Sequence, residues 1–127
     1  MTRLRNVMPA VLLFGAAGIF HFVGHRFFER IVPPWVPNAP LAVQISGVAE
    51  LAGAIGLLWP KTRRAAAWGL IALLAAVFPA NVQMVWMARA SGESAWLIAG
   101  LWARLPIQPL IMWWMYRAVI QKKTTNR

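Results

Sequence analysis

Apolar residues collect in four long stretches of the chain, Val7 to Phe28, Leu41 to Trp59, Ala65 to Met87 and Ala95 to Tyr116, separated by short polar or proline-rich connections. A helix needs about 20 mostly apolar residues to cross a bilayer, and each stretch is of that order. The pattern predicts four transmembrane helices that use most of the chain. The first stretch starts like a signal peptide, with Arg3 and Arg5 ahead of an apolar core containing Gly15-Ala16-Ala17-Gly18. It runs on through Phe28, too far for an h-region, and is read as a helix. No repeat, low-complexity segment or domain boundary divides the sequence, so residues 1–127 form one all-α domain, a polytopic four-transmembrane-helix bundle.

Composition agrees. The chain is 60% hydrophobic and 13% charged, whereas a soluble domain is about a quarter charged. The first partner implied is therefore the lipid bilayer. A net charge of +10 raises the question of nucleic acid, but the positions of the charges give a different answer. Arg3 and Arg5 precede the first helix, Lys61, Arg63 and Arg64 join the second to the third, and Arg117, Lys122, Lys123 and Arg127 follow the fourth. The other two connections carry Arg26 and Arg30 beside Glu29, and Arg89 beside Glu93. Nine basic residues against three, in alternate connections, put both termini in the cytoplasm by the positive-inside rule. The basic excess reflects topology, and nucleic acid is excluded as a partner.

Tryptophan tests this arrangement independently, because indole favours the membrane interface. Trp59, Trp68, Trp113 and Trp114 fall at the inner helix ends and Trp35, Trp86 and Trp96 near the outer ends, leaving Trp102 inside a stretch. Cysteine is absent, which removes disulfides, thiolate metal sites and thiol relays.

The alternating directions of the helices give each buried polar residue a depth. At a rise of ~1.5 Å per residue, His21 lies roughly 10 Å, Glu50 and Arg104 roughly 13 Å and Asn81 roughly 9 Å from the outer helix ends. One polar residue from each helix thus shares one layer. An ionised group there costs about 2.5–3.5 kcal/mol even on the lenient insertion scale, so Glu50 and Arg104 are expected to turn inward and meet, with His21 and Asn81 around them. Gln108 lies deeper and Gln83 nearer the surface. Ser46, Glu50 and Gly53 share one helix face, as do Gly18, His21 and His25. Pro79, Pro106 and Pro109 leave the carbonyls of Ala75, Trp102 and Leu105 without their helical donors, and polar side chains at this level would supply them.

Two readings of the layer compete. Buried polar groups can simply fix helix register, a Glu–Arg pair serving as a lock; alternatively, ionisable groups inside a membrane mark function. His21 and His25 have the i, i+4 spacing of two metal ligands, but only Glu50 is at hand to complete a set, and no metal site is predicted. The segment Phe27 to Pro40, with prolines at 33, 34, 37 and 40 among Phe, Ile, Val and Trp, is too apolar for a free loop. It is either an interfacial anchor or a lid over the outer mouth of the bundle.

These same residues carry a resemblance. His21-Phe22, Arg30-Ile31-Val32-Pro33-Pro34-Trp35, Ser46-Gly47 with Glu50, Phe78-Pro79-Ala80-Asn81 and Arg104-Leu105-Pro106-Ile107-Gln108 together resemble the DoxX family of small bacterial four-helix membrane proteins, over nearly the whole chain. His21, Glu50, Asn81, Arg104 and Gln108 match its pattern, while His25 departs from it. The resemblance implies the bundle fold, a bacterial inner-membrane address and the company of quinone-linked redox chemistry. The expected function is an accessory subunit or binder of a quinone-like molecule through the polar layer. The alternatives are a non-enzymatic scaffold for a membrane protein partner, or a carrier of a small lipid or solute acting as a homo-oligomer.

Overall fold

The computed structural model describes residues 4–121, so Arg3, Lys122, Lys123 and Arg127 of the charge count lie outside the described residues. Its helices are α1 (Leu4–Val23), α2 (His25–Ile31), α3 (Ala39–Leu58), α4 (Pro60–Ala90) and α5 (Ala95–Met115), and a π-helical turn, Tyr116–Ile120, continues α5. No strand occurs among the described residues. Four helices are long and apolar enough to cross a membrane, the last running from Ala95 to Ile120.

Two boundaries differ from those expected. The first apolar stretch does not continue to Phe28 as one helix. At Gly24 the backbone N–H closes α1 on the Phe20 carbonyl (2.7 Å), while the Gly24 carbonyl accepts from Phe27 and Phe28 (3.1 and 3.3 Å) and starts α2. The site is tight, since a Cβ at Gly24 would stand 3.0 Å from the Phe20 ring. The third helix is longer than its apolar stretch, because the Lys61–Arg64 segment is helical. Pro60 occupies its first position, where a missing N–H costs nothing, and the residue before it, Trp59, is extended (φ −101°, ψ 132°) as a pre-proline residue should be. At 31 residues α4 is roughly 46 Å long, more than the hydrocarbon thickness requires.

The connections are fastened by side chains that satisfy the free groups of helix ends. Asn38, in the left-handed region at φ 51°, caps α3 by accepting from the Leu41 N–H (3.3 Å). At the other end of α3, Thr62 Oγ1 donates to the Gly56 carbonyl (2.7 Å), and Arg63 donates to Leu57 (2.7 Å) and Leu58 (3.1 Å). Arg63 is consequently buried and terminates a helix as well as contributing charge. The α4 terminus is a Schellman turn, with Gly92 at φ 67° donating to Arg89 and Glu93 donating to Ala88. Ser94 then caps α5 through the Leu97 N–H (3.3 Å).

Packing follows chain order: α1 on α3, α3 on α4 and α4 on α5, with the π-helical turn reaching back to α1. Glycine sets the closest approaches. A Cβ on Gly18 would lie 2.7 Å from Leu51 Cγ, and one on Gly47 would lie 2.8 Å from His21 Cβ, so α1 and α3 cross backbone to backbone there. Lower down, Gly53 faces Leu70 and Gly56 faces Ala66, closing α3 onto α4. An apolar core including Val7, Phe14, Leu57, Leu70, Met115 and Ile120 and a second one of Met84, Val85, Ala88 and Leu101 leave a gap between them along α4. The exterior is apolar, with Trp59, Trp68, Trp86, Trp96, Trp102 and Trp113 all exposed. That inversion of the soluble pattern is what a lipid-facing surface requires.

Candidate functional site

The gap between the two cores is a cavity of about 200 Å³. His21 from α1, Glu50 from α3, Asn81 from α4 and Arg104 from α5 all line it. Ser46 adds a hydroxyl, and the remaining wall is apolar, including Val43, Leu74, Val77 and Met84.

His21 stands in the last turn of α1. Its Nδ1 lies 2.7 Å from the Ala17 carbonyl, and since a carbonyl only accepts, that nitrogen carries the proton. The same Nδ1 is 3.1 Å from Glu50 Oε2. The Phe28 ring stacks on the imidazole, centroids 4.3 Å apart and planes within 4°. The break at Gly24 makes this possible by folding α2 back over the end of α1. Phe28 was not among the sequence candidates; the glycine inside an apolar stretch was the available signal.

Glu50 therefore meets His21, and the expected contact with Arg104 is not made. The crossing at Gly18 and Gly47 brings α1 against the turn of α3 that precedes Glu50, whereas Arg104 belongs to α5, which packs on α4. Arg104 is half-buried on the wall of the cavity that Glu50 also lines. Gln108 is buried one turn from Arg104 but does not line the cavity. His25 is exposed and pairs with Glu29 (3.0 Å), so the two histidines do not converge. Among the described residues no three His, Cys, Asp or Glu side chains are placed to hold a metal ion.

Hydrogen bonding is incomplete in this layer. Glu50 Oε2, Asn81 Nδ2 and Gln108 Oε1 are buried without a hydrogen-bond partner, although Glu50 and Asn81 are only 7% and 3% exposed. His21 approaches Glu50 at ion-pair distance, but its proton is directed at Ala17. An unmet buried polar group costs about 1–3 kcal/mol, so an acceptor on α3 and a donor on α4 face a cavity in which a bound molecule would satisfy both.

The apolar segment after α2 forms the cavity's roof. Phe28, Val32, Pro33, Trp35 and Val36 line it; Pro33 is fully buried, and a turn joins the Val36 N–H to the Pro33 carbonyl (3.0 Å). The segment covers the cavity with Val32, Pro33 and Val36 and turns Pro34, Trp35 and Pro37 outward, as either a lid or an interfacial anchor would. Arg30, near the end of α2, approaches Glu93 on the α4–α5 connection at 3.8 Å.

A family model described as "Domain of unknown function (DUF8561)" matches residues 10–118, which takes in α1 to α5 and the whole candidate site. No curated protein and no solved structure matches the chain.

Proposed function

The chain belongs to the DUF8561 family, and we propose that it is a four-span bacterial inner-membrane protein, both termini cytoplasmic, which binds a quinone-like head group beneath its lid in support of membrane redox chemistry. The observation that carries this reading is the pair of unmet buried groups, Glu50 Oε2 and Asn81 Nδ2, on one roofed and otherwise largely apolar cavity. A quinone ring is flat and apolar, with carbonyl acceptors at its edge. Arg104 and Asn81 donate to such a carbonyl, and the hydroxyl of the reduced ring donates to Glu50. Phe28 and Trp35 offer aromatic faces to the ring. The resemblance to the DoxX family supports the inner-membrane address and the redox setting, and the basic connections support the orientation.

Native mass spectrometry of the protein extracted gently from its own membranes tests this. The expected result is a quinone mass retained by the wild type and lost from Glu50→Gln, with circular dichroism unchanged. A bare wild-type chain sinks the reading.

A second reading, a scaffold for another membrane protein, draws on α5. Only Leu101, Gln108 and Met115 of its 21 residues are buried, against five of 20 in α1 and in α3, which leaves a broad apolar face for a helix of a partner or of a second copy. A spectrum with a bound protein and no small molecule is the outcome that favours it.

A further inference from the structure

The cavity is too small for more than a head group. At about 200 Å³ it is of the same order as an apolar cavity of about 150 Å³ that accommodates benzene, so one substituted ring fills it. Any chain carried by that ring must leave. The roof covers the side towards the α4–α5 connection, with Phe28 and Pro33 buried over the cavity and Trp35 lying across it with one face exposed. The inner end is closed as well, where Gly53 abuts Leu70 and Gly56 abuts Ala66.

Between these two closures the cavity walls on α3 and α4 are low. Ala42 and Ser46, one turn apart on α3, and Ala76 and Ala80, one turn apart on α4, all line the cavity. Ala76 is at the same time exposed on the outside of the molecule, which brings an edge of the cavity to the surface beside α4 at this level. Side chains this small leave a slot where larger residues would seal the wall. Small residues alone would not make a site. Here they open onto Glu50 and Asn81, which are each more than nine-tenths buried and have polar atoms without a hydrogen-bond partner, Asn81 Nδ2 with no ion pair either.

We propose that the ligand is a tailed lipid: its ring-sized polar head occupies the cavity and its apolar tail leaves sideways, between α3 and α4 past Ala42, Ser46, Ala76 and Ala80, into the bilayer. This rests on the binding reading above and adds the class of ligand and the route by which it enters. The ligand is taken from the lipid phase and never crosses the roof.

The experiment uses the full chain in phosphatidylcholine nanodiscs, with quenching of tryptophan fluorescence as readout. Two probes are compared at matched concentration in the bilayer, a decyl-tailed benzoquinone and the same ring without the tail. Ala76→Phe fills the slot from its exposed rim, where added bulk does not enter the core. Ala42→Leu, on the opposite rim, is the second variant. The expected result is that both variants weaken binding of the tailed probe by about tenfold or more relative to any change in that of the bare ring. Equal weakening of the two probes, or no effect on either, overturns the tail's path while leaving the head site intact. Absence of saturable quenching of the wild type by either probe overturns the binding reading itself, and with it this inference.

Discussion

Glu50 has two neighbours of different kinds, and they respond to different changes. His21 touches it at 3.1 Å, an interaction that depends on reach. Arg104 lines the same cavity without pairing with it, so any interaction between them depends on charge and on the low dielectric between them. Glu50→Asp separates the two, because it keeps the charge and withdraws the carboxylate by one methylene. In double-mutant cycles with His21→Gln and with Arg104→Gln, read from unfolding in detergent, the wild-type carboxylate should couple to both residues by about 1 kcal/mol or more. Glu50→Asp should lose most of the coupling to His21 and keep most of that to Arg104. Equal loss of both would refute the assignment. The polar layer itself was legible in the sequence, because a charge or amide in an apolar helix must turn away from lipid. Which residue meets Glu50 was not: depth along four helices fixes one coordinate and leaves rotation and crossing undetermined. The crossing at Gly18 and Gly47 decides it.

Among the helices, glycine marks contact in some places and nothing in others. A Cβ at Gly53 would run into Leu70, which is itself fully buried and has little room to yield, whereas a Cβ at Gly15 meets nothing within 4 Å. Gly53→Ala should therefore destabilise the bundle by about 1–3 kcal/mol through overpacking. Gly15→Ala should be neutral or stabilise by up to about 1 kcal/mol through helix propensity. Thermal unfolding of the two variants in one detergent checks this, and similar midpoints would mean that α3 and α4 are not seated as described. The sequence pattern found all four long helices to within a few residues, except where hydropathy carries no relevant signal. It does not detect the break at Gly24, because Phe22 and Val23 before it are as apolar as Phe27 and Phe28 after it. Nor does it detect the first turns of α4, where Lys61 to Arg64 are polar and still helical. Hydropathy reports what lipid can cover, while capping and backbone hydrogen bonds decide where a helix ends.

At the scale of the whole molecule the polar layer is off centre. It lies towards the end that carries the roof and the α4–α5 connection, so the orientation of the chain decides which leaflet supplies the slot between α3 and α4. The basic residues predict that this end faces outward. Native cysteine is absent, so a single introduced thiol reports its own position without background. Ser91→Cys sits on the α4–α5 connection and Lys61→Cys at the start of α4, at opposite ends of a 31-residue helix, and both positions are exposed. In intact cells a membrane-impermeant maleimide should label Ser91→Cys at once and Lys61→Cys only after permeabilisation. The reverse result would turn the molecule over and load the cavity from the cytoplasmic leaflet. Labelling of both in intact cells would mean that α4 does not span, which would remove the lipid phase on which a sideways entry depends. In either orientation the proposed slot requires lipid beside α3 and α4 and water above the segment that follows α2.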